Sequence, residues 1–127
     1  MTDAIFAVDN GMAITANRLM GAGTEPKNIG WGVGVTAALA INTTLETPSA
    51  EARTAGTSNR VTTNTANDTY QVVGLITCTE AAKAITEVGL FDDIVAGSLF
   101  LRGTFSPINV NVGDSIQFTA KNILNQL

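Results

Sequence analysis

Chemistry needs a base, a nucleophile or a metal ligand, and this sequence is poor in all three. It contains no histidine, which removes every His-based catalytic triad, the commonest general base and the commonest zinc ligand. The one cysteine, Cys78, follows an apolar run that begins at Val72. There a thiol serves as a small core hydrophobe, since a nucleophilic thiol would want a neighbouring base. A lone cysteine makes no internal disulfide, so nothing in the chain asks for an oxidising compartment. Asp92 and Asp93 are adjacent; on a strand they point to opposite faces and in a turn they are solvated, and neither arrangement makes an acid/base pair. Glu46, Glu51 and Asp68 are scattered through polar segments without the spacing of a calcium loop. Gly30-Trp31-Gly32-Val33-Gly34 has the spacing G-x-G-x-G, whereas a dinucleotide fingerprint needs G-x-G-x-x-G between a strand and a helix. Asn42-Thr43-Thr44 and Asn67-Asp68-Thr69 match the glycosylation sequon, a chance match in a chain rich in Asn and Thr that opens without a secretory signal. The reading is of a protein that is not an enzyme and holds no cofactor or metal. Glu87 and Arg102 remain, each alternating with apolar residues, and are expected to meet as a cross-strand pair with a structural role.

The elements that position these residues read as strands, because apolar residues in the second half recur with period two. At 70–78, Tyr70, Val72, Ile76 and Cys78 share one face; at 84–91, Thr86, Val88 and Leu90 alternate with Ile85, Glu87, Gly89 and Phe91. A third strand at 99–105 is expected to end at Ser106-Pro107, since proline donates nothing to a ladder. Ile108-Asn109-Val110-Asn111-Val112 alternates without a break, and Gly113-Asp114 links it to 115–121, the pattern of a type II′ hairpin. The first half is less patterned. Residues 5–8 read as a short strand or an arm, and 13–20 as one or two helical turns stopped at Gly21 or as a strand. Residues 28–34 form a glycine-lined strand whose bare face implies a neighbour lying close against it. Thr47-Pro48 opens a short helix, 60–64 is a Thr-rich edge strand, and Ala66-Asn67-Asp68 is a turn. Six or seven strands at this spacing, without a long amphipathic helix between them, give an all-β fold: an antiparallel β-sandwich or jelly-roll-like barrel with little helix.

The chain has 127 residues and a mass of 13.2 kDa, which suits one β domain over 1–127. Charged residues are only 14% of the sequence, against about 25% in an average soluble domain, so Thr, Asn, Gln and Ser must supply the polar surface. A net charge of −4 and a pI near 4.5 have the wrong sign for gripping a phosphate backbone, and nucleic acid is not expected as a partner. No apolar run approaches the ~18 residues that a transmembrane helix needs, so no membrane is expected either.

Two segments, ITEVGLFDD at 85–93 and LFLRGTFSPINVNVGDSIQFT at 99–119, resemble a group of small tailed-bacteriophage virion proteins, in which a strand of the type ITEVGLFD is followed by a short tip, a strand with an R-G-T-F-like stretch and a V-x-x-GDSI hairpin. GAGTEPKNIGWGVG at 21–34 and AEARTAG at 50–56 are similar to the same group, so the likeness spans most of residues 18–119. Related E-[VI]-G-[LI]-[FY] strands also occur in the attachment domains of phage tail fibres. The resemblance implies a virion structural protein, with a head decoration or cement protein preferred and a tail, baseplate or tail-fibre-associated component as the alternative. It implies the major capsid protein as partner, a homo-oligomer of trimer type, and a place on the capsid surface after synthesis in the bacterial cytoplasm. Residues 1–10, with Ile5, Phe6 and Val8 offering apolar contact, are the candidate N-terminal arm and partner-binding segment, able to add as a strand to a neighbour's sheet edge.

Overall fold

Alternation builds the two halves of the core directly. The computed structural model describes residues 4–124, which contain β1 (Ala4–Ala7), α1 (Asp9–Leu19), β2 (Asn28–Gly32), β3 (Thr54–Ala55), β4 (Thr57–Val61), β5 (Thr69–Thr77), β6 (Lys83–Phe91), β7 (Leu99–Val110) and β8 (Ser115–Ile123). A five-stranded sheet in the order β1-β7-β6-β2-β3 packs on a three-stranded sheet in the order β4-β5-β8, and every pairing among them is antiparallel. The fold is all-β, with 45% strand and 9% helix in two sheets and no closed barrel among the described residues. Val72, Ile76 and Cys78 from one sheet meet Ile29, Trp31, Val88, Leu90 and Leu101 from the other. Trp31 is fully buried, and its ring stands edge-on to Phe118 at 6.4 Å. The chain changes sheet between β3 and β4 at Gly56, where a Cβ would lie 2.5 Å from Val72 Cγ1; only glycine fits that corner.

β6 is buried on both faces, which alternation alone does not require. Val88 and Leu90 face the other sheet. Glu87, Gly89 and Phe91 face away from it and are covered by segment 33–47, whose Leu45 forms a second small cluster with Val8, Phe91 and Leu99. The glycines of β2 lie on that covered face: Gly30 pairs with Gly89 and Gly32 with Glu87. A Cβ on Gly32 would sit 2.4 Å from Thr47 O and 2.6 Å from a Glu87 carboxylate oxygen, so the close neighbour implied by the glycine pattern is the returning chain and a buried carboxylate. Thr47 O is itself held, accepting from Val33 N at 2.9 Å. Gly32→Ala therefore forces backbone apart, and its urea midpoint should fall by the equivalent of about 1–3 kcal/mol; an unchanged midpoint would show that segment 33–47 shifts freely.

Several local expectations are corrected. Residues 9–19 are helix, ended by a Schellman motif: Gly21 has φ +81, its N–H donates to Arg18 O, and Ala22 N donates to Asn17 O. Gly21 is thus the stop signal, and the strand alternative falls. Pro107 does not end its strand. β7 runs through it because the β6–β7 register jumps between Ile85↔Ile108 and Glu87↔Thr104, placing Pro107 in a bulge where no ladder hydrogen bond is asked of it. The hairpin at Gly113-Asp114 does not form. Gly113, with φ +98, sits third in a turn closed by Asp114 N donating to Asn111 O, the type II pattern rather than the primed one that matches hairpin twist. β8 therefore leaves β7 and pairs with β5 in the other sheet. Thr47-Pro48 starts no helix: Thr47 N donates to Glu87 and Pro48 bridges Gly32.

Candidate interaction surface

The expected pair of Glu87 and Arg102 is present, and it does more than join two strands. The two sit diagonally on the covered face, since Arg102 is opposite Gly89 and Glu87 opposite Thr104, with Arg102 Nε 2.9 Å from Glu87 Oε1. Both side chains are buried. Glu87 also accepts from the backbone N–H groups of Gly34 (2.9 Å), Glu46 (2.9 Å) and Thr47 (2.8 Å). Arg102 spends its other donors on Thr36 O (3.0 Å), Ala37 O and Asn42 Oδ1 (3.1 Å). Beyond the bond between the two side chains, these partners all come from segment 33–47, which has almost no regular structure of its own. Glu46 closes the segment on itself, accepting from Val35 N at 2.7 Å, from Thr36 N and from the Thr36 hydroxyl. The Thr36 hydroxyl and N–H hold its carboxyl below the usual range.

A clamped segment of this kind presents its exposed side chains at fixed positions, and they include large aliphatics. Val35 is 78% exposed, Leu39 50% and Ile41 73%. The loop is tied to the helix as well, since Asp9 N donates to Ala40 O at 2.8 Å. The β6–β7 tip is braced by a second set of contacts: Arg53 lies 3.5 Å over the Phe91 ring and donates to the carbonyls of Asp93 and Ala96. Asp92 accepts from Ser98 N and Asp93 from Ile94 N, as solvated turn residues do, and the tip exposes Ile94 and Val95.

Glu51, one of the acids scattered by sequence, is a hub. Its side chain is buried and accepts from Lys83 Nζ (2.6 and 2.8 Å), Trp31 Nε1, the Ser49 hydroxyl and the N–H groups of Thr79 and Glu80. Burial pushes its carboxyl up, but Lys83 and the other donors outweigh that and hold it well below the usual range. Asp68 likewise caps its turn, accepting from Thr63, Asn64 and Thr65 N–H. These carboxylates are committed to the fold, and no group of three or more metal-ligating side chains occurs among the described residues. Cys78 is buried, and burial raises its thiol pKa. A cleft of about 280 Å³ between α1 and the sheets is lined by Ile14, Arg18, Glu25, Tyr70, Phe100 and Leu124 among others. Tyr70 there donates to Pro26 O and its phenol is pushed up, first by burial and then by Glu25, so it offers no acid or base at neutral pH.

The N-terminal segment is placed differently from an arm. β1 pairs with β7 of its own chain, Ile5 opposite Gly103 and Phe6 opposite Arg102; the side chains of Ile5 and Phe6 lie outside the described part. Val8 is fully buried with Leu45, Phe91 and Leu99, and its N–H donates to Phe100 O. Val8 therefore packs in this chain's interior. The exposed aliphatics of 33–47 carried no sequence signal, because Val, Leu and Ile among Thr and Ala look the same whether a loop hides them or shows them. Compared with known protein families, curated proteins and solved structures, the chain has no match.

Proposed function

We propose that the chain is a structural subunit of a tailed-bacteriophage virion, a decoration protein that binds the outside of the head shell and stabilises it. The sequence resemblance motivates this reading, and one structural observation favours a binding role: segment 33–47 is clamped by a buried ion pair and holds Val35, Leu39 and Ile41 out to solvent. Ordering a loop on binding costs free energy, and a loop ordered beforehand avoids that cost. A subunit that binds only the assembled shell, through the major capsid protein, adds its binding free energy to the shell by mass action. No bond is made or broken. With few charges to spend, its contacts are apolar and backbone-mediated, and a homotrimer on the capsid surface suits such a role.

Mass spectrometry of purified virions should find this chain in copy numbers comparable to those of the major capsid protein. The double variant Val35→Asp, Ile41→Asp should lose head occupancy while its unfolding free energy stays within about 0.5 kcal/mol of wild type. Absence from virions would overturn the reading, and a few copies that fractionate with tails would replace the head assignment with a tail one.

A further inference from the structure

Among the described residues, β8 leaves a long strand edge unpaired. At the two ends of the β5–β8 ladder, Leu124 N donates to Asp68 O and Cys78 N to Asp114 O. Counting inward by twos along the register, Ile116, Phe118, Ala120 and Asn122 are the β8 residues bonded to β5. The N–H and C=O groups of Ser115, Gln117, Thr119, Lys121 and Ile123 therefore point away from the sheet, and all five residues are exposed. β8 is an outer strand of its sheet, nine residues long, without proline and with Lys121 as its one charge. Natural edges are normally short, charged or covered. β4, the opposite edge, has five residues including Arg60, and β1 has four.

The outer edge of β7 lies on the same side of the sandwich, in the other sheet. Among the described residues, β1 covers it along Leu101–Thr104. Between the two edges runs a groove of about 400 Å³ lined by Phe105, Pro107, Ile108, Ile116 and Phe118. Phe105, Ile116 and Phe118 pack on the core yet stay only half-buried.

We propose that β8 pairs antiparallel with β8 of a second copy of this chain about a two-fold axis at Thr119, joining the three-stranded sheets of two subunits into one of six strands. The register is set by the strand itself. Centred on Thr119, the five outward residues all fall into hydrogen-bonded pairs, Thr119 with Thr119, Gln117 with Lys121 and Ser115 with Ile123, for about ten ladder hydrogen bonds. Between them Phe118 faces Ala120 and Ile116 faces Asn122, so each large side chain meets a smaller one, and each lysine meets a glutamine instead of its own copy. A shift of two residues either way unpairs both strand ends and sets Phe118 against Phe118 or Ala120 against Ala120. The two grooves close on each other across the axis, which covers the half-buried aromatics. This contact does not depend on the virion reading; being two-fold, it links two subunits or two trimers and builds no three-fold by itself.

Sedimentation velocity across micromolar to sub-millimolar concentration should show wild type in reversible exchange between one species and its doubled form. Gln117→Lys puts like charges opposite each other twice and should weaken the doubled form about tenfold or more, while Gln117→Lys with Lys121→Glu restores it. Thr119→Pro removes an N–H that β5 does not use and should abolish doubling with the circular dichroism spectrum unchanged. Wild type that never doubles, or doubling indifferent to Gln117→Lys, overturns the proposal.

Discussion

Replacing Arg102 with leucine is expected to lower the unfolding free energy by about 3–5 kcal/mol, the range for breaking a buried pair by removing one partner. That is a large part of the ~5–15 kcal/mol that holds a domain of ordinary stability folded. The loss has two sources. Glu87 would stay buried with its Nε partner at 2.9 Å gone, and the carbonyls of Thr36 and Ala37 would lose the guanidinium that satisfies them. Glu87→Leu should cost at least as much, because three backbone N–H groups, those of Gly34, Glu46 and Thr47, share that carboxylate and unmet buried donors are expensive. The double Leu variant separates this arrangement from a simple ion pair. Apolar replacement of a simple pair is often neutral or stabilising, whereas here the double variant should remain about as unstable as Glu87→Leu alone, since the amides still lack an acceptor. Trp31, the single tryptophan and fully buried, reports the urea transition by fluorescence. Recovery to wild-type stability in the double variant would show that segment 33–47 finds other partners.

That pair also shows where the sequence was legible. Residues that alternate with period two placed β5, β6 and the first part of β7, and they put Glu87 and Arg102 on one face, because the side-chain period of a strand is fixed by its geometry. The bare glycine face of β2 likewise implied a close neighbour. What alternation does not carry is the identity of the partner strand. Ile116 and Phe118 alternate equally well whether β8 returns along β7 or crosses to β5, and the choice lies in whether Gly113 takes the second or the third place in its turn. Pro107 misled for a related reason: its missing N–H forbids a ladder position but not a bulge, and a bulge is visible only in the register of two strands. Glu51 was opaque for a third reason. A carboxylate between small polar residues reads as solvated, and its five donor residues come from positions as distant in sequence as Trp31 and Lys83.

The interaction surface inherits both kinds of legibility. The clamp was half visible, as two charges on one sheet face. The loop it holds was not, since residues 33–47 lack periodicity and owe their conformation to groups on β6 and β7. Low charge, a property of the whole sequence, now has a local meaning: the few charged side chains that are buried hold loops in place, and the surfaces left over are aliphatic loops and an unprotected strand edge.

Glu51→Gln should also be costly, by about 3 kcal/mol at neutral pH, because it places an amide N–H₂ among donors and leaves Lys83 without its counter-charge. The site ties Trp31 of β2, Ser49 in the loop and the β5–β6 connection at Thr79 and Glu80 to one carboxylate, so its loss loosens three segments at once. Its pH dependence follows from the direction of the carboxyl's shift. The folded value lies below the ordinary 4.5, so the unfolded chain binds the proton more readily, and the stabilisation is complete above that ordinary value and drains away as pH falls below it toward the folded one. Asp68, held low by the N–H groups of Thr65 and Thr63 in its turn, acts in the same direction. Wild type should therefore lose stability steadily on acidification below pH 4.5, and Glu51→Gln should lose less, since glutamine does not titrate. Urea midpoints measured at neutral pH and at successive steps into acid should show the gap between the two proteins narrowing. A gap that stays constant would mean that Glu51 is held by packing and not by its charge.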